Sequence, residues 1–300
     1  MTNRIELKWD LYYAVDEHRY YCSETPIDLE NLPVPKAVLA GDVRTYTDSS
    51  IEVGKYYYVC VGSVKSGVEK FSEVLFIRAA KEVPWSNVSA LLHFNNSTYD
   101  EKNQIPWESY SPQYGIGKWG MCAKFSANTQ NTIKSGNLPS FDFEDKDFRI
   151  QMQLKINRKS GINEWMGILG KNEEDDTRAF VLFLNSNSSQ LVFQIKDKAT
   201  KTLYGVSSNI ELPISQFTYI EISRVGNNLY MIIENQIVGQ VALPSGMMVY
   251  QNNYGISLGR IYYIDPKYPL DGYIDELRIT KGEGVDINNL IVPIYEFPNS

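Results

Sequence analysis

The sequence has few of the residues that most catalytic and metal sites use. Its 300 residues include only two histidines and three cysteines. Cys22, Cys60 and Cys122 have no metal-ligand spacing, and their odd number argues against a disulfide framework. We therefore expect reduced thiols, with a Cys22–Cys60 bond across neighbouring strands as the lesser alternative.

Long apolar runs and basic stripes are also missing. The N-terminal segment MTNRIELKWDLYY has no basic start followed by an apolar stretch, so neither a secretory signal nor a membrane insertion is expected. The net charge of −7 repels phosphate backbones, which excludes nucleic acid as an expected partner.

Catalytic motifs are equally scarce. No strand carries the alternating carboxylates with which sandwich-fold glycosidases flank a scissile bond. His18 and His93 have no serine or cysteine nucleophile beside them in a recognisable sequence frame. His93 lies in an alternating strand pattern, which favours a hydrogen-bonded structural role. The sequence therefore predicts no enzyme.

Strand-forming residues are abundant instead. The 21 tyrosines, with valine, isoleucine and phenylalanine, suit a pleated, half-buried surface. Short alternating runs are separated by clusters of Pro, Gly, Asp and Ser. Residues 88–282 show no sustained 3.6-residue periodicity, so helix should be confined to single turns. The predicted fold class is all-β, with packed antiparallel sheets.

Two modules are expected, because the length exceeds that of a usual single core. The segment KEVPWSN breaks the strand pattern near Pro84. The prediction is a first domain at residues 1–80, a linker at 81–88, and a second domain with a C-terminal tail at 89–300.

One strand and two turns can be predicted in detail. In FTYIEISRV, Ile220 and Ile222 alternate with Tyr219 and Glu221, which predicts one buried face. Asparagine tolerates positive φ, so tight hairpin turns are predicted at Asn227-Asn228 and at Asn235-Gln236.

The stretch TYTDSSIEVGKYYYVCVGSVKSGVEKFSEVLFIRA resembles the second half of a fibronectin type III domain. The resemblance implies a small N-terminal sandwich without a clear first strand. It makes Tyr57 the candidate for the corner tyrosine that ties a loop to the sandwich. Trp9 would match the core tryptophan of an early strand.

The order ALLHFNN, KWGMCAKFS, FEDKDFRIQMQLKIN, ISLGRI and LDGYIDELRITKGEG resembles laminin-G-like, concanavalin A-like jelly rolls. Its last element, residues 271–282, is very similar to the closing strand of jelly rolls in virion proteins of tailed bacteriophages, although residues 283–289 depart from that pattern. The resemblance implies a C-terminal jelly-roll sandwich and a place on a virion.

Aromatic residues in loops are the candidate ligand site. Sugars are held by flat aromatic faces together with Asn, Asp and backbone groups. Packing or a contact between subunits is the alternative role for such rings. The candidates for a binding rim are Tyr114, Trp119, Trp165, Tyr262, Tyr263 and Tyr268.

Lectin-type jelly rolls commonly hold calcium, and by resemblance Asp275 would be its ligand. Asn95 and Asn96 stand where related modules often have an acidic residue, which would weaken such a site. A cap or an ion pair of Asp275 and Glu276 at a strand end is the favoured interpretation. We therefore predict no metal ligand and no cofactor.

The resemblance predicts a phage virion surface protein, such as a tail fibre or adhesin, that presents a lectin-like module for carbohydrate binding or host attachment. Its partners would be other virion proteins and host surface polysaccharide, in a homo-oligomer or a larger assembly. It would be made in the host cytoplasm and displayed on the particle. The alternatives are a purely structural capsid-decoration or tail-assembly protein and a carbohydrate-binding accessory module of a bacterial surface protein.

Overall fold

The computed structural model describes residues 5–11, 13–52, 54–79, 83–127, 131–173, 175–264, 268–293 and 295–299. The chain divides into two compact units, Met1–Glu82 (unit 1) and Val83–Ser300 (unit 2). Both consist of antiparallel strands, which confirms the predicted all-β class.

Unit 1 is a small antiparallel sandwich. Its strands are β1 (Ile5–Lys8), β2 (Glu17–Ser23), β3 (Ala37–Ala40), β4 (Thr45–Asp48), β5 (Tyr56–Lys65), β6 (Val68–Phe71) and β7 (Leu75–Arg78). One sheet has the order β3-β2-β5-β6, with β7 also paired to β5, and the second sheet is the β1–β4 pair. Their apolar core contains Ile5, Tyr20, Ile51, Tyr57, Val59 and Ala79.

Tyr57 ties a loop to this core. Its ring is buried, and its hydroxyl accepts a hydrogen bond of 2.9 Å from the backbone N–H of Glu52. This is the contact expected of a corner tyrosine, whereas membership of the fibronectin type III family stays a prediction. Trp9 was predicted to lie in the core of unit 1, but it is half-buried and is not part of that core. Its indole N–H instead donates a hydrogen bond to His18.

The cysteines of unit 1 do not pair. Cys22 lies opposite Val59 and Cys60 lies opposite Tyr21 in the β2–β5 ladder. Residues that face each other across a ladder point to the same side of the sheet. Cys22 and Cys60 therefore point to opposite sides and are free thiols, which excludes the alternative of a bond between them.

Unit 2 contains the remaining described strands and three 3-10 turns, at Trp85–Asn87, Pro139–Phe141 and Asp175–Thr177. The strands are β8 (Val88–Leu92), β9 (Tyr99–Asp100), β10 (Ile105–Pro106), β11 (Glu108–Tyr110), β12 (Gln113–Ile116), β13 (Met121–Phe125), β14 (Thr132–Lys134), β15 (Phe148–Ile156), β16 (Met166–Lys171), β17 (Phe180–Leu184), β18 (Leu191–Lys196), β19 (Leu203–Ser207), β20 (Thr218–Val225), β21 (Asn228–Ile233), β22 (Gln236–Ala242), β23 (Ser257–Leu258) and β24 (Gly272–Lys281). Among the residues that the structure describes, helix is confined to single turns, as predicted. Within the described ranges, no helix has the length and apolar character needed to cross a membrane.

Two large sheets enclose one core. The eight-stranded sheet has the order β12-β13-β24-β15-β20-β21-β22, and β8 also pairs with β24. The seven-stranded sheet has the order β11-β14-β23-β16-β17-β18-β19. Alternate residues of facing strands, such as Phe148, Ile222, Leu182 and Phe193, are buried between the sheets. Unit 2 is thus a sandwich, as the alternating pattern predicted.

The two predicted hairpins are present, but each turn lies one residue earlier than predicted. Val225 pairs with Asn228, so the first turn is Gly226-Asn227, and Ile233 pairs with Gln236, so the second is Glu234-Asn235. Gly226 and Glu234 have φ values of 57° and 54°. The positive φ therefore falls on the residue before the asparagine in both turns.

Strand β20 is buried on both faces, whereas the alternation predicted one buried face. Ile220 and Ile222 face the core, while Tyr219 and Glu221 lie on the outer face and are 1% and 2% exposed. The outer side chains are covered by residues 283–293 and 295–299, which we call the C-terminal tail. This third layer explains the departure from the prediction.

Replacing Tyr57 with phenylalanine should lower the free energy of unfolding of unit 1 by about 1 kcal/mol, because the Glu52 N–H loses its acceptor. Denaturant unfolding followed by tyrosine fluorescence measures the change. Tyr58→Phe, at a half-exposed position on the opposite face of β5, is the matched control and should change stability little. Equal effects of both substitutions would contradict the assigned role of the Tyr57 hydroxyl.

Candidate functional site

A loop lies directly on the outer face of the seven-stranded sheet. It approaches β16 at two glycines, where a Cβ would lie 2.4 Å from Ile261 N at Gly167 and 2.1 Å from Ile261 O at Gly170. Only glycine leaves room for backbone this close. The pair of glycines therefore lets the loop that begins after β23 place its aromatic residues on the sheet.

Four aromatic rings meet there and form what we call the aromatic patch: Trp165, Phe183, Tyr262 and Tyr268. The ring centroid of Trp165 lies 5.3 Å from that of Phe183 and 5.4 Å from that of Tyr268, and Tyr262 lies 6.0 Å from Tyr268. Trp165, Tyr262 and Tyr268 are half-buried and pack on a buried apolar base of Val181, Phe183, Val192 and Ile261. The rings hold one another in place, while part of the surface of Trp165, Tyr262 and Tyr268 faces solvent.

Polar residues that precede Trp165 in the chain, together with the side chains bonded to them, form what we call the border of the patch. Arg158 donates hydrogen bonds to Glu164 at 2.9 and 3.2 Å and to Asp271 at 3.3 Å. The Arg158 guanidinium holds the pKa of the Glu164 carboxyl below its ordinary value. The neighbouring Asn163 and Ile162 are exposed, Ile162 by 79%. The border combines amide, carboxylate and guanidinium groups, which are the partners that sugar hydroxyls need.

Tyr263 lies beside the patch and is tethered. Its ring is 6.0 Å from that of Tyr254, and Lys134 Nζ lies 4.8 Å from its centroid. Its hydroxyl donates a hydrogen bond of 2.9 Å to the carbonyl oxygen of Ser135. These contacts fix the loop on the sheet.

The other two candidate rings belong to the eight-stranded sheet. Tyr114 lies in β12, and Trp119 lies in the turn before β13, where its backbone N–H donates to Asp275. The structure therefore gathers Trp165, Tyr262 and Tyr268, places Tyr263 next to them, and separates the remaining two. Sequence reasoning missed Phe183, because it lies in the apolar run FVLFL and not in a loop.

Asp275 is fully buried and keeps one oxygen without a partner. Its Oδ2 accepts backbone hydrogen bonds from Lys118 and Trp119 at 2.7 and 3.2 Å. Its Oδ1 has no hydrogen-bond partner among the described residues. Burial raises the pKa of Asp275 to about 7. The carboxyl is thus poised to keep a proton near neutral pH.

The surroundings of Asp275 do not fit calcium well. Calcium takes roughly six to eight oxygen ligands. Asn95 Oδ1, the nearest candidate by resemblance, already accepts the backbone N–H of Met121 at 2.8 Å. Asn95 Oδ1 is thus engaged with a backbone N–H, and Asp275 Oδ1 is a buried carboxylate oxygen without a hydrogen-bond partner among the described residues.

His93, Glu276 and Glu296 bring potential metal ligands within 4.8 Å of one another. However, His93 Nδ1 lies 2.6 Å from Glu276 Oε1, and Nε2 lies 2.6 Å from Asn299 Oδ1. Burial opposes the charge of His93, but these hydrogen bonds outweigh it and raise the pKa to about 9. Both ring nitrogens of His93 are engaged in hydrogen bonds, to Glu276 and Asn299, so His93 has the predicted hydrogen-bonded role.

In unit 1 the fold brings a serine to His18, which sequence reasoning did not detect. His18 Nδ1 lies 2.9 Å from Ser63 Oγ, and Arg44 Nη1 lies 3.0 Å from Nε2. Because arginine can only donate, Nε2 accepts and Nδ1 carries the hydrogen that is donated to Ser63. Burial and the charge of Arg44 lower the pKa of His18. The imidazole therefore does not take a proton from Ser63 in this arrangement.

Comparison by sequence gives no match: no protein-family model matches the chain, and no curated protein sequence matches it.

Comparison of the structure with solved structures finds all-β binding domains. The binding domain of Paraclostridial Mosquitocidal Protein 1 has a TM-score of 0.54 at 12% identity, over 69% of this chain and 51% of that chain. A structure of botulinum neurotoxin type C, a toxin whose cell entry depends on interaction with two ganglioside molecules, has a TM-score of 0.52 at 11% identity. The match covers 68% of this chain and 50% of that chain. Domain 4 of the arabinanase AbnA from Geobacillus stearothermophilus, in complex with arabinotriose, has a TM-score of 0.50 at 16% identity. The match covers 68% of this chain and 96% of that chain.

These likenesses show the fold. At such identities they carry no residue-level correspondence, and the chain spans about half the length of the toxin chains that it matches. The class they define is an all-β sandwich of the kind used by binding domains.

Asp275→Asn should raise the melting temperature at about pH 8 and leave it nearly unchanged at about pH 4. The folded chain holds the Asp275 proton up to about pH 7, whereas the unfolded chain loses it near the ordinary value of 3.8. Stability therefore falls as pH rises between these two values. Asparagine has no proton to lose, so the gain at pH 8 is about 4 kcal/mol.

Thermal melts of both proteins in EDTA and in calcium check this expectation. Unchanged midpoints with either addition would agree with a protonated carboxyl. A variant that melts lower than the wild type, together with calcium-dependent stabilisation of the wild type, would instead assign a cation to Oδ1.

Proposed function

We propose that unit 2 is a carbohydrate-binding module whose ligand lies on the aromatic patch. The observation that carries this proposal is the group of half-buried rings of Trp165, Tyr262 and Tyr268 on an outer sheet face, bordered by hydrogen-bonding groups. Packed rings lose little conformational freedom on binding, so they suit the apolar faces of pyranoses.

Two related structures support a sugar ligand. Domain 4 of AbnA is in complex with arabinotriose, and the botulinum neurotoxin type C structure concerns interaction with gangliosides. The similar fold suits a glycan site on a sheet, because rigid strands position rings and loops supply polar groups.

We further propose that the protein is displayed on a virion of a tailed bacteriophage, as a tail fibre, adhesin or related component. This part rests on the similarity of residues 271–282 to the closing strand of phage jelly rolls. Weak single contacts would be multiplied by repeated copies on a particle. Its partners would be other virion proteins and host surface polysaccharide, in a homo-oligomer or larger assembly.

A purely structural virion role is the second candidate. The rings of the patch contact one another and Phe183, and such packing also suits a contact with a neighbouring subunit. In that case the same surface would be covered in the particle and would bind no glycan.

Trp165→Ala should weaken glycan binding at least tenfold, because an aromatic platform loses its largest ring. A glycan array of host polysaccharides with the full chain identifies the ligand, and titration calorimetry measures the loss. Trp119→Ala is the matched control, since it removes the same side chain from the other sheet, and it should retain binding within twofold.

Three outcomes contradict the proposal. If the wild type binds no glycan on the array but is still incorporated into particles, the structural role is favoured. An equal loss of glycan affinity in both tryptophan variants would show that the ligand does not bind at the aromatic patch. Absence of the protein from purified particles, tested by mass spectrometry and antibody labelling, would remove it from the virion.

A further inference from the structure

The outer face of the eight-stranded sheet carries a linked set of charged and polar side chains, which we call the polar row: Arg149 and Gln151 on β15, Tyr219 and Glu221 on β20, and Arg278 on β24. Arg149 holds Glu221 with hydrogen bonds of 2.6 and 3.2 Å. Tyr219 donates to Glu221 at 2.7 Å. Gln151 donates to the Tyr219 hydroxyl at 2.6 Å and accepts from Arg278 at 2.9 Å. The row contains two cations and one anion.

The C-terminal tail covers this row. The ring centroid of Phe297 lies 3.8 Å from the guanidinium carbon of Arg278. The backbone N–H of Phe297 donates to Glu276 at 2.8 Å, and that of Val285 donates to Ser223 at 2.9 Å. The tail is also held by apolar packing, of Val285 and Leu290 on Tyr230 and Ile232 and of Val292 and Phe297 on Leu91 and Tyr219. Near its end, Asn299 is hydrogen-bonded to His93.

Stability alone does not account for a charged row under a tail. Burial, followed by the nearby charge of Arg149, lowers the pKa of Arg278 to about 10, so the covered position disfavours its charge. Buried ion pairs are often no more stabilising than apolar residues of the same volume. Beside the polar row the tail already packs on apolar side chains, and such packing alone would complete the fold. The row is better suited to a face that is also used uncovered.

The same face continues beyond the tail into an open end. Residues 149, 151, 153 and 155 alternate along β15 and so share one face. At the open end, Lys155 Nζ lies 3.9 Å from the ring centroid of Tyr273 and 4.6 Å from that of Phe217. All three side chains are partly exposed. A cation stacked on aromatic rings thus occurs at both ends, and under the tail the ring is supplied by Phe297.

We propose that the C-terminal tail is a displaceable strap on a second ligand groove, and that this groove takes a segment of acidic polysaccharide. Guanidinium groups bind carboxylates in a bidentate manner, so Arg278 would hold a uronate carboxylate, whereas Arg149 stays paired with Glu221. Tyr273 and Phe217 offer flat faces for a sugar ring at the open end. Phe297 occupies the place on Arg278 that the ligand would take.

Substitution in the tail of the full chain tests the proposal. Phe297→Ala removes the stacked ring, and Tyr295→Ala, at a position 70% exposed, is the matched control. Hydrogen exchange of the tail peptide should become at least tenfold faster in Phe297→Ala alone. Titration with polygalacturonate should show at least fivefold tighter binding in that variant, with no gain for neutral dextran. Adding Arg278→Met should abolish the gain.

Two results overturn the proposal. Faster exchange of the tail without tighter polygalacturonate binding would show that the uncovered face is not a groove for acidic sugars. Unchanged exchange in Phe297→Ala, and intact protection of residues 283–293 in a second variant that lacks residues 295–300, would show that the tail is not displaceable. Trp165→Ala in the Phe297→Ala background must keep the gain, because the aromatic patch is on the other sheet. Melting curves verify that each variant is folded.

Discussion

Strand β24 is paired on both edges, and much of unit 2 depends on that arrangement. It pairs with β15 on one edge and with β13 and β8 on the other. The interruption between its two partners falls at Glu276, a non-glycine residue with φ of 52°. A bulge of this kind redirects neighbouring side chains. It leaves Asp275 buried beneath the turn before β13, Glu276 holding the tail, and Arg278 in the polar row.

Sequence patterns predicted the strands of unit 2 because a sheet with one face in the core imposes a period of two. The same rule explains the errors. Alternation in FTYIEISRV cannot reveal a third layer, since the residues that cover Tyr219 and Glu221 lie in a tail without periodicity. The second hairpin turn was displaced by one residue because Glu234 adopts a positive φ that its residue type does not signal. In the first turn the positive φ falls on Gly226 and not on the asparagines that the prediction used.

The candidate site was predictable only in part. Aromatic residues in loops identified Trp165, Tyr262 and Tyr268, but their meeting depends on Gly167 and Gly170, which admit the loop to β16. No local pattern separates Tyr114 and Trp119 from them, because sheet membership is set by the order of distant strands. The closeness of Ser63 to His18 has the same origin, since it arises from the register of β2 and β5.

The two outer faces of unit 2 differ in what competes with an external ligand. On the seven-stranded sheet the patch is partly open, so the proposed ligand would displace water only. On the eight-stranded sheet, the tail is attached to the same chain and is always present at high local concentration. The apparent affinity there is reduced by the fraction of molecules that are uncovered. A groove of this kind would show no binding in a simple assay of the intact chain, even if its intrinsic affinity for its ligand were higher than that of the aromatic patch.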